Sequence, residues 1–327
     1  FANRVGFPVI IKATSGGGGR GLRVARNYED LESGFLACKR EALAFFKNDS
    51  VFIEKYVENP RHIEFQILAD NYGHIIHLGE RDCSIQRRHQ KLIEIAPSPS
   101  ISEDLRRRMG AVAVASAKAA GYTNAGTVEF LVDEDNNFYF MEMNTRIQVE
   151  HCVTEEITGF DLVARQIRIA SGELLEIQQS DVVIRGFAIE ARINAEDVTK
   201  DFAPNPGKIT GYYPALGPGV RVDSCVYKDY VIPPYYDSMI AKLIIRGASY
   251  DWAVKKLRRA LKEFKVKGVK TTIPFLINIT RDKDFKAGNF DTSYLETKLK
   301  LLMPETEKNP EDLVAAIAAA LASRSGF

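Results

Sequence analysis

Polar and apolar positions alternate most regularly between Gly126 and Asn144. Residues 126–132 form an apolar, β-branched run. Beyond it, Tyr139, Met141 and Met143 alternate with Phe138, Phe140, Glu142 and Asn144. A period of two predicts strands whose side chains point to opposite faces. The polar loop between them, Asp133-Glu134-Asp135-Asn136-Asn137, has hairpin chemistry. Folding about its middle sets Glu129 opposite Glu142, with Cβ atoms about 4.5–5.5 Å apart. Carboxylates that close repel unless a cation lies between them. Asn144 adds a neutral oxygen on the same face, and such hard donors suit Mg²⁺. A solvated hairpin face with incidental acids explains the hairpin alone equally well. The next segment, Asn144 to His151, then brings together a guanidinium, an amide, a carboxylate and an imidazole, a set that a structural turn does not need.

Upstream, residues 9–13 read as a strand containing Lys12. A glycine run with Arg20 inside it follows, then a second strand over 22–25. Glycines let backbone amides approach phosphate closely. The run lacks the Gly-Lys-Ser/Thr ending of a Walker loop, so it reads as a flexible flap. A plain hairpin tip is the simpler alternative, and Lys12 and Arg20 favour a lid over polyphosphate. Residues 28–47 carry Leu31, Phe35, Ala42, Phe45 and Phe46 at helical spacing. Strands are predicted at 51–57, 61–70 and 74–80, and a helix begins at Ser102 and ends at Gly121. Its run Arg106-Arg107-Arg108 reads as a solvated face. Residues 155–171 read as helix broken at Gly159. Over 186–194, Phe187, Ile189, Ala191 and Ile193 share one strand face, and Glu190, Arg192 and Asn194 share the other. Strands at 220–226 and 239–246 and helices at 250–264 and 272–281 follow. A final helix is capped by Asn309 with Pro310 at its first position; Leu313, Ile317 and Leu321 form its apolar stripe.

The bulk numbers narrow the function classes. A length of 327 residues accommodates two or three domains, and 45% hydrophobic with 27% charged residues fits a globular chain. A net charge of +1 gives no global field for nucleic acid or an acidic membrane. The basic residues Arg87, Arg88, His89 and Lys91 are mixed with Glu80 and Asp82 and lack interleaved aromatics, so a pocket for small anions fits them better than nucleic acid. No stretch is long and apolar enough for a membrane helix. Cys38, Cys83, Cys152 and Cys225 are scattered, which fits a reducing compartment such as the cytoplasm.

Five ordered motifs resemble biotin carboxylase, the ATP-grasp component of acetyl-CoA, pyruvate and propionyl-CoA carboxylases. They are KATSGGGGRG at 12–21, ERDCSIQRRHQK at 80–91, EMNTRIQVEH at 142–151, ARINAE at 191–196 and PPYYDS at 233–238. The resemblance implies an α+β architecture: an ATP-grasp lid (1–57), an ATP-grasp core (58–183), a mixed α/β C-terminal domain (184–303) and a helical tail (304–327). It also implies a leading α/β domain outside these residues, so this polypeptide alone is expected to be inactive.

The implied reaction is the ATP-dependent carboxylation of biotin by bicarbonate through carboxyphosphate. The resemblance places ATP against Lys12, Gly18, Gly19, Glu54, Lys55, Val57, His62, Gln86, His89 and Leu131. It places Mg²⁺ or Mn²⁺ on Glu129, Glu142 and Asn144, and bicarbonate on Lys91, Arg146, Gln148, Val149 and Glu150. Glu150 becomes the general base, and Arg192 stabilises the biotin enolate. From the residues alone, His62 and His89 read as surface imidazoles and Arg192 as an arginine paired with Glu190 or Glu196. Expected partners are a biotin carboxyl carrier protein or domain, a carboxyltransferase subunit and a second copy of the chain. The family departs here in two places: Cys152 stands where proline commonly follows Glu-His, and Ser293 replaces a nucleotide-contacting histidine of some members, which leans towards the pyruvate carboxylase branch. No biotinyl Met-Lys-Met motif is present, so the carrier lies elsewhere. A carbamoyl-phosphate-forming ATP-grasp ligase and a non-catalytic nucleotide-binding subunit are the alternatives.

Overall fold

The structure is a computed structural model that describes residues 1–15 and 21–304. Gly18, Gly19 and the predicted tail helix lie outside the described residues.

Strands β1 (Val9–Ala13), β2 (Leu22–Ala25) and β3 (Val51–Lys55) form a small antiparallel sheet in the order β2-β1-β3. The helix Tyr28–Phe46 covers it, started by the Asn27 side chain accepting from the Asp30 amide. Its buried face is Gly34, Cys38 and Ala42, while Phe45 is exposed. The sequence predicts a bulkier stripe. Small residues prevail because the helix lies close to the sheet: a Cβ on Gly34 would stand 3.0 Å from Ile11 Cδ1.

The main body is one eight-stranded antiparallel sheet. It contains β4 (Arg61–Ala69), β5 (Ile75–Arg87), β6 (Gln90–Ala96), β7 (Asn124–Val132), β8 (Phe138–Asn144), β9 (Phe187–Asn194) and the strands Val220–Ser224 and Met239–Gly247. β6 pairs with β9, so the sheet runs without interruption from the first half of the chain into the second. The helix Tyr250–Glu263 covers this second half, burying Ala253, Val254, Leu257, Ala260 and Leu261.

Alternation along β4 organises the site. Ile63, Phe65 and Ile67 pack with Val128, Phe130 and Val132 against Leu105, Met109, Ala113 and Ala117 of the helix Glu103–Ala119. His62, Glu64 and Gln66 therefore point to the opposite face, and all three are buried. The helix His151–Thr158 adds Thr154 to that polar interior, starting earlier than the sequence predicts. Arg107 and Arg108 do form a solvated face with Asp104, but Arg106 differs. It grips the fully buried Glu80 through two nitrogens at 2.7 and 2.8 Å.

Candidate active site

The β7–β8 hairpin pairs Glu129 directly with Glu142. A bulge just beyond shifts the register, so Phe130 faces Phe140 and Met141 is the extra residue. The strict alternation expected for β8 fails there. Phe138 and Met143 both pack towards the same apolar cluster, although five positions apart they would otherwise face opposite ways.

Asn144 joins the two acids. Its Nδ2 donates to Glu129 Oε1 at 2.9 Å and to Glu142 Oε1 at 3.3 Å, while its Oδ1 accepts from Arg146 at 3.3 Å. An amide donor thus lies where positive charge is needed. Rotating that amide by half a turn would present oxygen instead, so these three side chains fit a hard divalent ion.

Lys91, at the start of β6, occupies the centre. Its ammonium donates to Glu64 at 2.6 Å, Glu150 at 2.7 Å and Glu129 at 3.2 Å. Burial works against its charge, but Cys83, Glu64, Glu150 and Glu129 outweigh burial and hold its pKa well above the usual lysine range. Burial likewise pushes the Glu129 carboxyl up, yet His62, Lys91 and Gln148 together bring it down to about 2. His62 Nε2 lies 2.7 Å from Glu129 Oε2, and Gln148 Nε2 donates to Oε1 at 2.7 Å.

Behind this cluster Arg81 is completely buried. Its five N–H groups reach Glu64 (2.5 Å), Gln66 (2.7 Å), Thr154 (3.0 Å), Thr127 (3.1 Å) and Gln148 (2.9 Å). A buried guanidinium is tolerable only when its fork is satisfied in this way. Arg81 and Glu64 fix the face from which Lys91 and Gln148 project.

On the far side, Arg192 from β9 pairs with neither Glu190 nor Glu196. Its Nε donates to Glu94 at 2.6 Å and its Nη2 to Glu150 at 3.1 Å. Glu150 therefore bridges Lys91 and Arg192. The Val149 carbonyl accepts from Lys242 at 2.9 Å, which anchors the turn preceding the helix.

The remaining expected ATP contacts divide. Leu131 is the cross-strand neighbour of His62, and Gln86 that of Lys91, so both border the cluster. His89 lies on the exposed β5–β6 turn, where Arg88 and His89 both adopt positive φ. Lys12 forms its ion pair with Glu54 inside the small sheet. Lys55 donates to the Gly6 and Phe7 carbonyls at 3.2 and 3.0 Å, and Val57 follows that strand half-buried. Among the described residues, no hydrogen bond or ion pair joins these lid residues to Lys91. Glu64, Gln66, Arg81, Glu94 and Thr154 join the site without being individually marked as site residues by the sequence. The polar spacing His62-x-Glu64-x-Gln66 within a strand was the available signal.

Known proteins match this chain over nearly its whole length. Residues 1–178 match the carbamoyl-phosphate synthase L chain ATP binding domain, and residues 190–297 match the biotin carboxylase C-terminal domain. A biotin carboxylase of Nostoc sp. is 58% identical over 296 residues, 90% of this chain and 66% of that protein. The 2-oxoglutarate carboxylase small subunit of Hydrogenobacter thermophilus is 52% identical over 327 residues, 100% of this chain and 69% of that one. The crystal structure of the latter enzyme's biotin carboxylase domain dimer with MgADP, ADP and bicarbonate superposes with a TM-score of 0.89. It is 53% identical, covering 93% of this chain and 67% of its own. A Campylobacter jejuni biotin carboxylase bound to β-γ-ATP gives 0.87 at 48% identity, covering 91% and 66%. The chain spans about two thirds of the length of such relatives. An ATP-grasp domain and a biotin carboxylase C-terminal domain are thus joined through one sheet, and the chain belongs to the biotin carboxylase family.

Proposed function

We propose that this chain carries the biotin carboxylase half-reaction, in which ATP and bicarbonate carboxylate the ureido nitrogen of biotin on a separate carrier. The supporting observation is the bridging of Glu150 between Lys91 and Arg192, beside the paired acids Glu129 and Glu142.

Bicarbonate is a poor electrophile and needs activation. Lys91, Arg146, Gln148 and the Val149 backbone hold it, with the planar Arg146 fork suited to a small oxyanion. Glu150 takes the bicarbonate proton. A bicarbonate oxygen then attacks the γ-phosphorus of ATP, releasing ADP and forming carboxyphosphate. Glu129, Glu142 and Asn144 would hold Mg²⁺ or Mn²⁺, which when bound would supply positive charge to the phosphate oxygens. His62, Gln86, His89, Leu131, Glu54, Lys55 and Val57 surround the nucleotide, with Lys12 toward its phosphates; Gly18 and Gly19, which the resemblance adds to that group, lie outside the described residues. Carboxyphosphate breaks down to CO₂ and phosphate, and the phosphate takes the biotin N–H proton. Arg192 opposes the charge that develops on the ureido oxygen, and the nitrogen attacks CO₂.

Anion binding must loosen the contacts seen here. Lys91 and Arg192 both hold the Glu150 carboxylate. An incoming bicarbonate competes for Lys91, and biotin competes for Arg192, which frees the carboxylate at the moment it is needed. The partners fitting this reaction are a biotin carrier, a carboxyltransferase and a second copy of the chain. The matched relatives include named subunits of carboxylases and a dimeric domain.

Bicarbonate-dependent ATP cleavage that free biotin accelerates, in the protein at its full gene length, is the expected result. Cleavage insensitive to biotin but accelerated by ammonia would instead indicate a carbamoyl-phosphate-type ligase.

A further inference from the structure

Two carboxyl groups behind Arg192 have no part in the steps above. Glu94 on β6 and Glu190 on β9 are direct cross-strand partners, and both are fully buried. Glu94 Oε1 takes Arg192 through Nε at 2.6 Å and Nη2 at 2.5 Å. Glu94 Oε2 and both Glu190 oxygens are buried without a hydrogen-bond partner among the described residues. The charged or titratable groups around the pair are Lys91 from β6, Arg192 from β9, Lys242 from the strand Met239–Gly247, Glu150 before the helix His151–Thr158, and Cys152 within it. Lys242 directs its ammonium to the Val149 carbonyl at 2.9 Å and the Cys152 sulfur at 2.8 Å. Arg192 is already shared by Glu94 and Glu150. No donor remains for a second buried carboxylate, and one left ionised would repel its neighbour at close range.

We propose that Glu94 is the positioning residue for Arg192, and that Glu94 and Glu190 hold one proton between them, with Glu190 as the carboxylic acid. The positioning role rests on the function proposed above; the shared proton does not. Burial pushes both carboxyls up. Arg192 opposes the rise at Glu94, which reaches about 7, whereas the like charge of Glu94 adds to the rise at Glu190. With one proton on the pair, an ionised Glu94 holds the guanidinium through Nε and Nη2 and so fixes its orientation toward the substrate. As pH falls through about 7, Glu94 gains a proton and its grip weakens. Arg192 is then left to Glu150 and ties up the base.

The test has two arms. The infrared spectrum of this chain at mildly alkaline pH should show a carboxylic acid C=O band, shifted in D₂O and lost in Glu190→Gln. Absence of the band in the unmutated chain, or its persistence in a folded Glu190→Gln variant, overturns the shared proton. In the protein at full gene length, Glu94→Gln should lower kcat for biotin carboxylation roughly tenfold or more, the value of a hydrogen bond to a charged group. Its KM for ATP should stay within about twofold. The acid limb of the pH profile near 7 should vanish in this variant and persist in Glu94→Asp, which keeps the charge. Equal losses toward ATP and biotin, or an unchanged acid limb, overturn the positioning role. An unmutated enzyme that biotin does not stimulate removes the reaction and the positioning role together, while the infrared arm still decides the proton.

Discussion

The Lys91 ammonium donates to the Glu150 carboxylate across 2.7 Å, although the residues are 59 positions apart. The β5–β6 hairpin delivers one partner and the turn before the helix His151–Thr158 delivers the other. Lys91 also holds Glu64 and Glu129, so one ammonium touches three buried acids, of which Arg81 shares Glu64 and Arg192 shares Glu150.

Removing that cation should be costly. Lys91→Met leaves Glu64, Glu129 and Glu150 facing one another, and breaking a buried ion pair on one side costs roughly 3–5 kcal/mol. Urea unfolding of the variant should show a loss of that order. A loss under about 1 kcal/mol, the level of a surface pair, would mean the cluster is not held as described.

Glu129 predicts a pH dependence. Its folded pKa of about 2 lies below the ordinary 4.5. Its contribution is therefore fully present above 4.5 and lost as pH falls towards 2, amounting to about 3 kcal/mol. In urea titrations, the stability gap between the unmutated chain and Glu129→Gln should shrink across that window. A gap independent of pH would contradict the assigned contacts.

Glu142 is exposed, in contrast to the buried Glu129. Glu142→Gln should alter unfolding by no more than about 0.5 kcal/mol. It should nonetheless weaken Mg²⁺-dependent binding of ADP, read by calorimetry with and without the ion. Unchanged Mg²⁺ dependence would remove Glu142 from the metal site.

Cys152 lies in the first turn of the helix His151–Thr158. It is buried beside Lys242 and Asp223, and burial, with the negative charge of Glu190 adding to it, pushes its thiol up to about 12 despite Lys242 and Arg221. Thiolate is the reactive form, so mild alkylation of the native chain should mark the exposed Cys225 well before Cys152. Peptide mapping after a short iodoacetamide pulse reads the order. Cys152 labelling as fast as Cys225 would contradict its placement.

The hairpin was legible because alternation is a local signal, and Glu129 does face Glu142. The bulge at Met141 was not legible, since nothing in the alternation marks where one residue is skipped. Lys91, Arg146, Gln148 and Glu150 could be grouped through motif resemblance. Arg192 illustrates the limit. Its neighbours in sequence suggested Glu190 or Glu196, whereas the β6–β9 pairing supplies Glu94 from 98 positions away. Arg81 and Glu64 are not legible in the sequence for the same reason: their burial depends on which strands become neighbours. Similarly, Arg106 leaves the solvated run because Glu80 on β5 lies beneath it.

Glu150→Gln in the protein at full gene length tests the central claim most directly, with ATP cleavage measured against added bicarbonate and nucleotide affinity measured in parallel. The amide keeps the shape of the side chain and cannot accept the bicarbonate proton. Loss of bicarbonate-dependent cleavage with ADP affinity near normal is the predicted result; turnover at the unmutated rate would contradict the account.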